Sequence, residues 1–132
     1  MPASGRRAGT KHLAVRLFRN RTAAVVYARP VNRKLVVFVP PDALDDVRDA
    51  LLAAGAGRIG GYERCSWYTE GTGTFLGGEE TSPAVGERGV EERVPELRLE
   101  TVFPESQHDE VVAALRAAHP YEEPAFDVYS LL

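Results

Sequence analysis

Leu35-Val36-Val37-Phe38-Val39 is apolar at every position, the pattern of a strand buried on both faces. Pro40-Pro41 ends it, because proline cannot donate to a ladder. Asp42 then stands as the N-cap of a helix, with Asp45 and Asp46 in the first turn where the macrodipole favours acids. Leu44, Val47, Leu51 and Ala54 recur at helical spacing and give that helix one apolar face, which Gly55-Ala56-Gly57 terminates. Tyr62 to Thr69 reads as a second strand, with Cys65 and Trp67 on one face and Arg64, Ser66 and Tyr68 on the other. Thr74-Phe75-Leu76 continues it or returns as a hairpin arm. A loop rich in Gly, Glu, Ser and Pro covers 77–89. From Glu96 to Phe103 the alternation is clean: Leu97, Leu99, Thr101 and Phe103 against Glu96, Arg98 and Glu100. Pro104 breaks this strand. Ser106 with Asp109 is a capping-box-like start for a second helix, carried by Val111, Ala114, Leu115 and Ala118 and ended by His119-Pro120. Ala125 to Leu131 is a last strand, with Phe126 and Val128 on one face.

The order is β-α-β-(β)-β-α-β. Two strand–helix–strand units predict an α+β domain, a ferredoxin-like βαββαβ sandwich with two helices on one face of a mostly antiparallel sheet. The polar face of the Glu96 strand is left solvated or free for a partner. No Rossmann phosphate loop, P-loop or zinc-finger pattern occurs in the sequence.

The division expected is a basic tail over 1–33 and a domain over 34–132. The tail has no clean period, although Leu13, Val15 and Leu17 alternate and Ala23 to Tyr27 is a short apolar run, so a strand fits at either place. It holds eight of the 16 Lys and Arg residues and no acid; all 19 acids lie from Asp42 onward. Three readings compete: a disordered basic arm, an upstream extension with Val31 as the true initiator, or an Arg-rich, acid-poor organelle presequence. A secretory signal does not fit, because a compact apolar region is missing. The acidic body argues against nucleic-acid binding by the domain itself.

With 132 residues and 44% apolar positions, the chain suits one domain with its own core. Its one cysteine, Cys65, allows no internal disulfide and suggests a cytoplasmic home. No apolar run approaches the roughly 18 residues needed to cross a bilayer.

Three groups of residues have chemical potential. His119, Glu122 and Glu123 place an imidazole and two carboxylates between a helix end and a strand, stiffened by two prolines; with Asp127 or Cys65 they make a candidate divalent-metal set. The plainer reading has His119 satisfying helix-terminal carbonyls and the glutamates facing water. Gly71-Thr72-Gly73-Thr74-Phe75 allows close backbone approach to a ligand, with backbone N–H groups and threonine hydroxyls able to cradle an anion, or else forms a hairpin turn or bulge. Cys65 is a buried structural thiol, a metal ligand, or a nucleophile if His119 reaches it.

Several of these segments are shared with a known family. Gly57-Arg58-Ile59-Gly60-Gly61-Tyr62, Cys65, Gly71-Thr72-Gly73-Thr74-Phe75, Pro83-Ala84-Val85-Gly86, Gly89 with Glu91, and above all Ala118-His119-Pro120-Tyr121-Glu122-Glu123-Pro124-Ala125-Phe126-Asp127 resemble the insert domain of YqfO-type proteins. These belong to the dinuclear-metal-centre family named for the NGG-one interacting factor three. The resemblance runs from about Lys34 to Leu132. It implies a PII/CutA-like fold occurring here as a stand-alone domain and a trimeric homo-oligomer. Tyr121, within the shared string, joins Gly71, Thr72, Gly73 and Thr74 as the candidate ligand-binding set. The family's dinuclear metal lies in the two halves that flank the insert, so it and the cyclohydrolase label are not carried over.

The expected function is therefore a binding or regulatory module, holding a divalent metal ion or small ligand near His119–Glu123 and docking on a protein partner. The alternatives are a metal-assisted hydrolase using His119, Glu122 and Cys65, and a ligand-free interaction domain.

Overall fold

A computed structural model of the chain describes residues 31–84 and 86–132, together with two short strands, β1 (Leu13–Arg16) and β2 (Val25–Ala28). β1 and β2 pair antiparallel, from Leu13 opposite Ala28 to Arg16 opposite Val25. The rest of 1–30 lies outside the described residues, and with it most of the segment on which the three readings of the tail turn.

The domain follows as β3 (Asn32–Val39), α1 (Leu44–Ala53), β4 (Trp67–Leu76), β5 (Glu91–Pro104), α2 (His108–Ala118) and β6 (Phe126–Ser130). The sheet order is β4-β5-β3-β6, with every pair antiparallel. The two strand–helix–strand units are thus interleaved: β5 separates β3 from β4, and β3 separates β5 from β6. This is the ferredoxin-like split arrangement expected.

Leu35, Val37 and Val39 of β3 and Leu97, Leu99 and Phe103 of β5 form one face of the core. Val47 and Leu51 of α1 and Val111 and Leu115 of α2 form the other. Each such side chain contributes roughly 1.5–3 kcal/mol by leaving water. Val36 points away from this core, with Glu100 and Asp127 as its cross-strand neighbours, yet is only 2% exposed. Central placement therefore buries β3 on both faces, as its unbroken apolar run requires.

Four local expectations are corrected. Asp42 is not an N-cap: it sits inside a 3-10 turn, Pro41–Ala43, and no side chain caps α1. Ser106 likewise lies in a 3-10 turn, Glu105–Gln107, ahead of an α2 without a side-chain cap. The second strand starts at Trp67 rather than Tyr62, because the preceding residues are held as a loop. Ile59 and Tyr62 exchange backbone hydrogen bonds of 3.0 and 2.9 Å, the Cys65 N–H donates to Gly57 O, and Arg64 adopts φ 59°. Finally, Gly71–Phe75 is neither turn nor bulge. It is continuous strand, with Gly71 opposite Glu96, Thr72 opposite Pro95 and Gly73 opposite Val94.

This last correction shapes the molecule. β3 reaches only as far as Leu97 on β5, whereas β5 begins at Glu91. Residues 91–96 and their partners on β4 therefore run beyond the core as a two-stranded arm. Pro95 lies where β5 has one neighbour only, the setting in which a strand proline is tolerated.

Candidate functional site

The segment between α2 and β6 crosses at the root of this arm. Proline at 120 prevents the helix from continuing, and His119 turns to extended backbone at φ −78°, ψ 133°. Its ring is buried, at 6% exposure. Nε2 lies 2.8 Å from the Phe38 carbonyl, and Nδ1 lies 3.1 Å from the Tyr121 amide nitrogen. A carbonyl only accepts and an amide N–H only donates, so Nε2 carries the proton and Nδ1 accepts. Both nitrogens of His119 are thereby used within the fold.

His119 in turn places Tyr121. The two rings are 4.9 Å apart, and Tyr121 meets Phe75 of the arm at 6.5 Å with the planes tilted by 54°. Burial pushes the Tyr121 phenol up from its ordinary value. The Glu96 carboxylate acts in the same direction, as a like charge and as hydrogen-bond acceptor, with Asp42 adding a smaller push. Glu122 accepts the Ser82 N–H at 2.9 Å and so ties this crossing segment to the loop after β4.

Between the arm, the crossing segment and that loop lies a groove of about 660 Å³. Its lining includes Gly71, Thr72, Gly73 and Thr74, the aromatic rings of Phe38, Phe75 and Tyr121, and the charged groups Glu70, Glu96, Arg98, Glu122 and Glu123. A Cβ on Gly73 would overlap the Glu96 carboxylate, so glycine is what lets Glu96 lie across β4. A Cβ on Gly71 would meet nothing within 4 Å, which leaves open backbone at the groove.

Arg98 is committed. Its Nε donates to Glu100 at 2.8 Å, and its guanidinium lies 5.8 Å from the Phe38 ring centre. Lys34 reaches the other oxygen of Glu100 at 3.2 Å. The Arg98 hydrogen bond, opposed by partial burial and reinforced by Lys34, holds the Glu100 carboxyl below the usual glutamate range.

The structure thus brings Gly71, Thr72, Gly73, Thr74, Tyr121, Glu122 and Glu123 together around one groove. His119 stands behind Tyr121 and does not line it. Cys65 is half-buried in the loop before β4; its thiol contacts Glu63 O at 3.9 Å, and its carbonyl accepts from Thr101 Oγ1 at 2.8 Å. Asp127 lies on β6, opposite Val36. Among the described residues, no three His, Cys, Asp or Glu side chains are grouped so as to hold a metal ion. Among the described residues no helix is long and apolar enough to cross a membrane. Phe38, Glu96 and Arg98 were not singled out from the sequence as site residues. The signal for Glu96 and Arg98 was the polar side of the alternating strand; nothing distinguished Phe38 from the rest of its apolar run.

No family model matches the chain. A protein of Mycobacterium tuberculosis named GTP cyclohydrolase 1 type 2 homolog is 52% identical over 99 residues, 75% of this chain and 26% of that protein. The crystal structure of a Bacillus cereus protein related to NIF3 superposes with a TM-score of 0.65 at 47% identity, covering 77% of this chain and 26% of that one. The divalent cation tolerance protein CutA of Archaeoglobus fulgidus superposes with a TM-score of 0.56 at 15% identity, covering 76% and 83% of the two chains. GlnK of Bacillus subtilis does so at 0.51 and 14%, covering 76% and 85%. The last two show the fold alone. The chain spans about a quarter of the length of the relatives it matches at high identity.

Proposed function

We propose, on the premise that this domain is homologous to a quarter-length segment of the NIF3-related proteins and shares the CutA-type fold, that it is a binding or regulatory module whose small-molecule ligand sits in the groove at the root of the β4–β5 arm. One observation carries this reading. Gly71–Thr74, Tyr121, Glu122 and Glu123 come from segments about fifty residues apart, and they converge on the same concavity. Open backbone at Gly71, threonine hydroxyls and aromatic rings are the usual furniture of a ligand site: apolar walls with a few placed polar groups.

The same module is proposed to self-associate, as a trimer by its resemblance to PII and CutA-like proteins. Trp67 and Tyr68 at the start of the edge strand β4 and Tyr129 on the edge strand β6 support this, being 58%, 51% and 48% exposed. A divalent ion in this groove would rely on the carboxylates of Glu122 and Glu123 rather than on His119, whose nitrogens are engaged.

The test is a small-molecule panel of mixed charge followed by amide NMR on the full chain, with light scattering after size exclusion. Ligand-dependent shifts clustered on Gly71–Thr74 and Tyr121 are expected. Shifts that cluster elsewhere, with these amides silent, would overturn the groove as the site.

A further inference from the structure

The charges and rings of the groove restrict what it can hold. This inference rests on the groove being the ligand site. Among the described residues, four carboxylates line it, Glu70, Glu96, Glu122 and Glu123, against one guanidinium, Arg98. That guanidinium is paired with Glu100 and lies over Phe38. Among the described residues of the lining, an anionic ligand would therefore meet four like charges and a single guanidinium already paired with a carboxylate, contrary to the anion cradle expected of Gly71–Thr74, which costs it affinity.

We propose that the groove receives a small organic ammonium ion, its charged head among Glu70, Glu96 and Glu122 and its apolar body against the Phe75 and Tyr121 rings. A ring face attracts a cation through its quadrupole, and carboxylates add a direct Coulomb attraction that strengthens as water is excluded. The two rings, tilted by 54°, form a corner rather than a flat wall, so one ligand can touch both. Pro83 and Ala84 close the groove on the side of the loop. These apolar surfaces have no use for a bare metal ion but match the methyl or methylene groups of an alkylammonium. The Tyr121 phenol stays protonated at neutral pH and so adds no charge of its own.

The test compares pairs of equal shape and different charge. Choline and butylammonium are titrated into the full chain, followed by the amides of Gly71, Gly73 and Tyr121, alongside the neutral isosteres 3,3-dimethylbutan-1-ol and butan-1-ol and the anion butyrate. The expected result is saturable shifts with the cations, binding about tenfold or more tighter than their isosteres, weakened by added salt. Glu96→Gln, checked for folding by its spectrum, is expected to weaken the cations by about tenfold and the neutral isosteres hardly at all. Equal binding of cation and isostere at these amides would overturn the cation assignment and leave the groove as a ligand site. Preferential binding of butyrate would do the same. Silence of these amides with every probe here and in the mixed-charge panel would remove both readings together.

Discussion

The imidazole of His119 donates from Nε2 to the carbonyl of Phe38, 2.8 Å away, and so joins the end of α2 to the end of β3. At its other nitrogen it accepts the Tyr121 N–H at 3.1 Å. The ring is a bracket: it closes the helix and positions the tyrosine that walls the groove. His119→Ala leaves both partners unmatched in a buried setting, and is expected to lower stability by about 2–3 kcal/mol. Urea unfolding followed by far-UV circular dichroism checks this, with an unchanged m-value showing that the denatured state is not altered. Whatever Zn²⁺ the parent takes up, the variant is expected to take up equally. Loss of zinc uptake with stability intact would make the ring a ligand instead of a bracket.

Glu100 carries the second prediction. Arg98 and Lys34 both bond its carboxylate, and its proton is bound more weakly folded than unfolded. A depressed folded value means the contribution is present above the ordinary glutamate range and is lost as pH falls through the folded value. Stability should therefore decline with acid more steeply in the parent than in Glu100→Gln. Urea midpoints for both proteins between neutral pH and about pH 3 measure the difference. The pair is partly exposed, so the effect should shrink in high salt.

Gly57 is a backbone requirement. Its φ is +93°, and its N–H donates to Val102 O while its carbonyl accepts from Cys65. A Cβ there would stand 2.5 Å from Leu52 Cδ2 and 3.0 Å from the Cys65 nitrogen. Conformational strain and steric overlap add, and one of the atoms struck is backbone that cannot step aside. Gly57→Ala is expected to cost about 2–4 kcal/mol, read as a fall in the unfolding midpoint. Gly60→Ala is the control: φ is +58° but nothing lies within 4 Å of the added carbon, so only the strain of about 1 kcal/mol remains.

Much of this fold was legible because its strongest signals are local. An unbroken apolar run, two apolar faces at helical spacing and one strict alternation mark β3, α1, α2 and the core half of β5. Each is a direct consequence of which sides of the element face water. The β4 arm was harder to see. Gly71 and Gly73 are the composition of a turn, and only pairing with Glu96 and Val94 of β5 keeps them extended. The boundary at Trp67 depended on hydrogen bonds from Gly57 to Val102 and from Cys65 to Gly57. Such contacts across the fold leave no periodicity. The site divides in the same way. Tyr121, Glu122 and Glu123 sit in a distinctive string that could be read directly. That His119 faces inward while its neighbours line the groove depends on the carbonyl of Phe38, eighty-one positions away.

The glycines of β4 offer a way to change the groove without changing the fold. Neither Gly71 nor Gly73 has positive φ, so alanine is acceptable to the backbone at both. At Gly71 the added methyl meets nothing. Gly71→Ala should therefore stabilise the protein by about 0.5 kcal/mol, because the unfolded chain loses freedom. At Gly73 the methyl takes the space of the Glu96 carboxylate. That carboxylate is the far end of a flexible side chain and can swing away, so stability should stay within about 1 kcal/mol of the parent. Its departure, however, removes a negative charge from beside Tyr121. Spectrophotometric titration of the tyrosines in Gly73→Ala should then show one phenol moving back towards its ordinary value, while Gly71→Ala leaves it in place. An unmoved phenol in Gly73→Ala would mean that Glu96 keeps its position by another route.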